Sequence, residues 1–348
     1  MEPIVKVQNV WKIFGERSYE ALEILQRESV SKAEIKERFN CIVGVKDASF
    51  TVSEGEIFCV MGLSGSGKST LIRHINRLLE PTLGSIYIND VDVTQISQAE
   101  LRQLRAQKIG MVFQNIALIP HRTVRDNVAL PLEVQGQDKR RRYEIAESSL
   151  AKVELSGWGD KFVHELSGGM QQRVGLARAL AANPDVLLMD EPFSALDPLI
   201  RSQLQDQFKE LSKKDRKTTV FITHDLDEAI FIGDRIAIMN DGVIVQIGTP
   251  EEIVTNPVDD YVKDFVADIS RLKLVFAHTV MVPIEEFTAT DNRDLSESPR
   301  VREYVDLDYL IDILVDTDEP VVVHDGDNRD IGVVNKQQLL HGIRKGRK

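Results

Sequence analysis

The stretch GLSGSGKS, residues 62–69, decides the fold. It has the form GxxxxGK followed by Ser or Thr. It lies between a strand-like segment, EIFCVMG (56–62), and a helix-like run, LIRHINRLL (71–79). Glycines allow backbone N–H groups to close around phosphate oxygens, and a helix that begins at this point adds its positive dipole end. This unit therefore predicts a phosphate-binding loop at the edge of a buried, largely parallel sheet in an α/β protein.

Two polar residues of this stretch predict its ligands. Lys68 can reach the β and γ oxygens of ATP, and the Ser69 hydroxyl can bind Mg²⁺. We therefore predict ATP and Mg²⁺ as ligands, and Lys68 also as a catalytic residue. The predicted nucleotide contacts are Gly62, Leu63, Ser64, Gly65, Ser66, Gly67, Lys68, Ser69 and Thr70.

An apolar strand that ends in two acids, VLLMDE (186–191), provides the expected partner of this loop. Asp190 can hold Mg²⁺ through water, whereas Glu191, free of the metal, can polarise the water that attacks the γ-phosphate. Acidic strand ends also occur in structural ion pairs, but the phosphate loop favours the functional interpretation. We predict Ser69 and Asp190 as metal ligands and Glu191 as a catalytic residue.

The segment LSGGMQQR (166–173) begins another helix and could form a second phosphate-binding site at its N-terminus. One γ-phosphate does not need two such sites from one chain. The segment resembles the signature motif of the ABC ATPase family. That resemblance implies a head-to-tail dimer in which Ser167, Gly168, Gly169 and Gln171 of one copy cover ATP held by the other copy.

Three further positions match this family in order. Gln114, which ends IGMVFQ, resembles the glutamine that touches Mg²⁺ and the attacking water. Asp197, which ends SALD, is similar to the loop residue that communicates across the dimer, and His224 resembles the switch histidine at the γ-phosphate. The resemblance thus implies catalytic roles for Gln114 and His224, metal binding by Gln114, and a place for Asp197 at the nucleotide.

The aromatic residue that stacks on adenine is left open between two side chains. Many family members have Tyr where this chain has Phe14, and Trp11 is nearby. Stacking needs only a π face, so Phe14 is the first choice, with a plain core role as its alternative.

The resemblance covers residues 4–267 and implies a P-loop NTPase ABC cassette. Such a cassette has a RecA-like core, an antiparallel β subdomain and a helical subdomain, expected at 116–169. Residues 17–40 predict one or two amphipathic helices inserted between strands. We predict a nucleotide-binding domain at 1–267 and a regulatory α+β module at 268–348, a single CBS-like unit of helix, hairpin and helix.

Composition limits the setting in which this chain works. Its 348 residues are 42% hydrophobic and 28% charged, and no apolar run approaches the roughly 18 residues that span a bilayer. The start lacks a signal-like segment, which predicts a cytoplasmic location, peripheral on the inner face of the plasma membrane. Cys41 and Cys59 are too few for a disulfide framework. The net charge of -12 argues against nucleic acid as a partner.

The predicted cargo rests on features outside the shared motifs. The insertion at 17–40 and the stretch ALIPHRTVRDNVA are typical of ATPases that serve betaine and choline importers. Well-known members carry two CBS modules, whereas this tail has room for one. We therefore predict import of a quaternary ammonium compound, choline first and glycine betaine or proline betaine next. The implied partners are a permease and, indirectly, an external binding protein.

Two other functions compete with this one. An importer ATPase for another solute, such as an amino acid, would not be expected to carry the insertion. A soluble ABC ATPase of DNA repair or translation usually has two cassettes in one chain or a long coiled coil, and neither is visible here.

Overall fold

The structure, a computed structural model, describes residues 3–28, 30–114, 116–194, 196–267, 271–290, 293 and 295–346. The chain divides into two compact units, Met1–Thr249 and Pro250–Lys348. The predicted boundary after residue 267 lies further along the chain and stays a prediction. No helix in the described part of the chain is both long enough and apolar enough to cross a bilayer.

The first unit alternates strands and helices, as the sequence predicts. Its strands are β1 (Pro3–Phe14), β2 (Ile42–Ser53), β3 (Ile57–Met61), β4 (Leu83–Ile88), β5 (Val91–Asp92), β6 (Ile109–Val112), β7 (Val186–Asp190), β8 (Thr218–Thr223), β9 (Arg235–Asn240) and β10 (Val243–Gly248). Its helices are α1 (Ser18–Arg27), α2 (Lys32–Phe39), α3 (Lys68–Ile75), α4 (Gln98–Lys108), α5 (Val124–Val134), α6 (Lys139–Lys152), α7 (Gly168–Ala181), α8 (Pro198–Asp215) and α9 (Leu226–Ile232), with a short 3-10 turn at Val163–Glu165.

The larger sheet of this unit has the strand order β10-β9-β3-β8-β7-β6. All its neighbours pair in parallel except the β9–β10 hairpin. The register sets Met61 opposite Thr223 and Asp190 opposite Ile222. The residues that follow β3, β7 and β8 therefore meet at one edge, where open α/β sheets bind their ligands.

A second sheet, β2-β1-β4-β5, is antiparallel, in agreement with the predicted antiparallel β subdomain. The segment predicted as one or two helices forms two, α1 and α2. They bury Leu22, Leu25 and Ile35 in a small core with Trp11 and Val43 from the antiparallel sheet. The helices thus belong to the sheet's own core, since their apolar faces have partners there.

The second unit contains α10 (Pro250–Thr255), α11 (Asp260–Phe265), α12 (Ala277–Val280), β11 (Val282–Pro283), α13 (Ile284–Thr290), β12 (Arg300–Arg302), α14 (Leu307–Asp316), β13 (Val321–His324), β14 (Asp330–Val334) and α15 (Lys336–Gly346), with a 3-10 turn at Arg271–Leu274. Its sheet has four strands, in the order β11-β14-β13-β12, where the sequence predicted only the hairpin of β13 and β14. The added strands have two and three residues, too few to show a period. Classification of this unit as CBS-like stays a prediction.

His74 on α3 gives the first unit an expected sensitivity to acid. The side chain is fully buried, and its Nδ1 lies 2.7 Å from the Leu79 carbonyl oxygen, so Nδ1–H donates. Its Nε2 has no hydrogen-bond partner among the described residues. Burial is the main cause that lowers the pKa of His74 to about 4. The ring is therefore neutral in the native protein near pH 7.

Acidification from pH 6.5 to 4 should reduce the free energy of unfolding through this residue. The unfolded chain, with a histidine pKa of about 6.5, binds a proton in this window that the native state does not bind. When the pH falls from 7 to 5, the free energy of unfolding should decrease by about 2 kcal/mol less in the His74→Gln variant than in the wild type. Urea titration at the two pH values measures both decreases. Equal losses in the two proteins would contradict this account.

Candidate functional site

The backbone of the phosphate loop, residues 62–69, requires glycine at two close contacts. Gly62 has φ +151°, and a Cβ there would lie 2.0 Å from the Met239 carbonyl oxygen of β9. Gly67 has φ +104°, and its Cβ would lie 2.3 Å from the Gly44 carbonyl oxygen of β2. The loop is thus fixed between the two sheets in a shape that only glycine permits.

Lys68 folds back over this loop. Its Nζ donates to the carbonyl oxygens of Gly62, at 2.7 Å, and Leu63, at 3.0 Å. Burial lowers the pKa of Lys68, while the charges of Glu191 and Asp190 raise it. The buried Ser66 Oγ has no hydrogen-bond partner in the described part of the chain. A buried, unsatisfied hydroxyl in the same loop as an ammonium group fits an anion of phosphate type.

Asp190 ends β7 directly beside the start of α3. The Ser69 hydroxyl donates to its Oδ1 at 2.9 Å, and an Arg73 nitrogen lies 3.6 Å from Oδ2. Burial raises the pKa of Asp190, and the Ser69 hydrogen bond opposes that rise. A hydroxyl and a buried carboxylate in contact form the oxygen donor set that Mg²⁺ prefers, so these residues fit the metal.

Glu191 lies in contact with two other predicted site residues, Gln114 and His224. Its carboxylate accepts a hydrogen bond from Gln114 Nε2 at 3.1 Å and lies 3.2 Å from His224 Nδ1. Its backbone has φ +46°, and its N–H donates to the Ile222 carbonyl oxygen. A left-handed conformation is strained for glutamate, so the fold holds this side chain at the sheet edge at a cost in free energy.

The signature segment begins α7. Ser167 is the N-cap residue, and its hydroxyl accepts a weak hydrogen bond from the Met170 N–H at 3.4 Å. Gln171 Nε2 donates to the Val163 and Leu166 carbonyl oxygens, each at 3.2 Å. A Cβ on Gly168 would meet nothing within 4 Å, whereas a Cβ on Gly169 would lie 2.7 Å from the Ile200 side chain, so the helix start is open at Gly168 and covered at Gly169.

The two aromatic candidates for adenine stacking differ in exposure. Trp11 is buried in the core beneath α1 and α2. Phe14 is 38% exposed, and a Cβ on Gly44 would lie 2.8 Å from its ring. The Gly44 carbonyl also lies against Gly67, so Phe14 and the phosphate loop share Gly44 as a neighbour.

One arginine near this site escaped the sequence analysis. Arg201 on α8 donates to the carbonyl oxygens of Ser194 and Leu196 and to the Asp225 carboxylate, at 3.2 to 3.5 Å. It thereby joins the loop before α8 to the residue after His224. The spacing of Arg201 from Asp197 could have indicated this residue from the sequence. Asp197 is the N-cap of α8, and a residue four positions later lies on the same helix face. Ala195 of the same loop lies outside the described residues.

Comparison with known proteins gives this site a family. A family model described as "ABC transporter" matches residues 45–194. The glycine betaine/carnitine transport ATP-binding protein GbuA of Listeria monocytogenes is 52% identical over 278 residues, which are 80% of this chain and 70% of that protein. The chain belongs to the ATP-binding proteins of ABC transporters. As a member of this family it binds ATP and hydrolyses it, and that hydrolysis is coupled to transport.

Other relatives of this ABC transporter protein extend the comparison. The glycine betaine/proline betaine protein ProV of Escherichia coli is 54% identical over 77% of this chain and 67% of its own length. The trimethylamine N-oxide protein TmoW of Pelagibacter ubique is 43% identical over 98% of both chains. A solved dimeric structure of a bacterial ABC transporter cassette has 34% identity and a TM-score of 0.59, covering 71% of this chain and 98% of that one. The predicted cassette fold is confirmed.

Proposed function

We propose that this ATPase energises import of a quaternary ammonium compound or a closely related methylated amine. The observation that carries this proposal is the 52–54% identity to GbuA and ProV, which serve glycine betaine with carnitine or proline betaine. The choline transport protein OpuBA of Bacillus subtilis is 40% identical. All these solutes carry a methylated, positively charged nitrogen.

Choline, the first choice from the shortened tail, stays a prediction within this class. TmoW, which serves trimethylamine N-oxide, matches 98% of both chains and so includes the second unit of this one. A permease and an external binding protein would select the cargo. The ATPase would not contact choline or trimethylamine N-oxide directly. We therefore add trimethylamine N-oxide to the solutes that need testing.

The site geometry supports a specific division of labour in hydrolysis. Lys68, now bound to loop carbonyls, would exchange these partners for the β and γ oxygens of ATP. Ser69 and Asp190, with Gln114, would hold Mg²⁺, which when bound neutralises charge on the phosphates. Glu191 would accept a hydrogen bond from the attacking water and draw on its proton.

Gln114 and His224 would keep the Glu191 carboxylate oriented in this mechanism. Each lies within 3.2 Å of it already. His224, 54% exposed at its side chain, would also contact the γ-phosphate. Asp197, the N-cap residue of α8, stays a predicted nucleotide-site residue.

A second copy of the chain is needed to complete each site in this proposal. The start of α7, with Ser167, Gly168 and Gly169, would cover the ATP of the other copy and stabilise its γ-phosphate through helix N–H groups. ATP binding would close this dimer and hydrolysis would reopen it, and the helical segment 116–169 would pass this motion to membrane permease subunits. We propose a peripheral position on the cytoplasmic face of the membrane.

Uptake of labelled solutes tests the cargo. In a strain that lacks this chain, the wild-type gene should restore uptake of choline, glycine betaine, proline betaine or trimethylamine N-oxide, whereas a Glu191→Gln gene should not. Restored uptake of an amino acid, with none of these four solutes, would favour the competing importer function.

Phe14→Ala should weaken ATP binding about tenfold, because a base–aromatic stack contributes on the order of 1–3 kcal/mol. Phe14→Tyr should bind as well as the wild type, since the π face is kept. Displacement of a fluorescent ATP analogue measures both. If Phe14→Ala binds ATP normally, Phe14 is not the stacking partner.

A further inference from the structure

The insertion at residues 17–40 has no role in the mechanism above, yet it contacts the turn that supports the phosphate loop. Lys32, the first residue of α2, places its Nζ 2.9 Å from an Asp241 carboxylate oxygen. Asp241 and Gly242 form the tight turn between β9 and β10, with φ +47° and +80°. The insertion therefore reaches across from the antiparallel sheet to a turn of the larger sheet.

This turn is bonded directly to the phosphate loop. The Gly242 N–H donates to the Ser66 carbonyl oxygen at 2.9 Å, and the Gly242 carbonyl accepts from the Lys46 N–H at 2.7 Å. A peptide unit is planar and trans, so a fixed Ser66 carbonyl orients the Gly67 N–H in the opposite direction. That N–H is one of the donors that the loop offers to phosphate.

We propose that Lys32 is a positioning residue for ATP, acting through Asp241, Gly242 and Ser66. The inference rests on the proposed placement of ATP on the phosphate loop. The insertion at residues 17–40, which lies outside the motifs shared by the family, would then orient N–H groups of the phosphate loop.

The local structure favours this ion pair over an ordinary exposed one. Exposed pairs contribute little because both side chains must be ordered. Here the start of α2 is already fixed by a capping box between Ser31 and Glu34 and by the fully buried Ile35. The Lys32 side chain is 26% exposed, and a Cβ on Gly242 would lie 3.0 Å from its Nζ, whereas the Asp241 side chain is 74% exposed. The lysine is therefore the partner that the fold holds in place.

Equilibrium binding of ATP to the purified full chain tests the proposal. Lys32→Met and Asp241→Asn should each raise the Kd for ATP about two- to fivefold, and the double variant should show no further increase. Asparagine tolerates the left-handed turn, so Asp241→Asn removes the charge without breaking the backbone. Lys32→Arg should restore near-normal affinity, while kcat at saturating ATP stays unchanged.

Two controls separate the possible failures. Lys36 is an exposed residue one turn further along α2, and Lys36→Met should leave the Kd for ATP unchanged. Lys68→Ala should lower the affinity for ATP about 100-fold; if its affinity is unchanged, the placement of ATP on this loop is wrong. If Lys68→Ala shows this loss while Lys32→Met and Asp241→Asn bind normally, or if the effects of the Lys32 and Asp241 variants simply add, the positioning role of Lys32 is overturned.

Discussion

Glu191→Gln is expected to reduce steady-state ATP hydrolysis about 1,000-fold, within the range that general-base catalysis contributes, while ATP binding remains. The amide keeps the size of the side chain and can still contact Gln114, which lies 3.1 Å away. It cannot draw a proton from water. Phosphate release by the complete transporter measures this change.

Glu23→Gln provides the matched control, because Glu23 is an exposed acid of α1 far along the chain from β7. It should hydrolyse ATP at the wild-type rate. A Glu191→Gln enzyme that turns over within tenfold of wild type would remove Glu191 from the role of base. His224 and Gln114 would then need reassignment as well, since both are placed through Glu191.

Lys68→Ala should lower ATP affinity about 100-fold and remove measurable hydrolysis at ordinary ATP concentrations. Charge-assisted hydrogen bonds contribute about 1.5–3 kcal/mol each, and the lysine is expected to make such bonds to ATP. In the structure its Nζ donates to two loop carbonyls. Their loss adds disorder to the loop and weakens binding further.

The same displacement assay with a fluorescent ATP analogue measures the affinity of this variant. Lys6→Ala is a suitable control, since Lys6 pairs with the exposed Asp90 at the surface of the antiparallel sheet. It should bind ATP normally. Unchanged affinity in Lys68→Ala would show that residues 62–69 do not hold the nucleotide.

The sequence was most informative where the chemistry requires neighbouring residues. The phosphate loop needs glycines, lysine and serine in one contiguous run, and the acids must follow an apolar strand, so both motifs are visible in the chain itself. Their common edge also follows from the parallel sheet, because β3, β7 and β8 end side by side. The structure accordingly places Ser69 beside Asp190 and Gln114 beside Glu191.

Contacts between distant segments could not be read in the same way. The pairing of Lys32 with Asp241 joins two charged residues that look like ordinary solvated ones in sequence. Burial likewise distinguishes Trp11, which lies in the core, from the more exposed Phe14, and burial depends on how α1 and α2 pack. The edge strands β11 and β12 were missed because so short a segment is defined by its neighbours and not by its own pattern.

We propose that Glu191 activates the water that cleaves ATP, in a site completed by a second copy of the chain. The most direct test incubates Glu191→Gln with Mg²⁺ and labelled ATP, separates the protein by size, and identifies the nucleotide that stays bound. We predict a two-copy species that retains uncleaved ATP. A single-copy species, or bound ADP formed as fast as in the wild type, would contradict the claim.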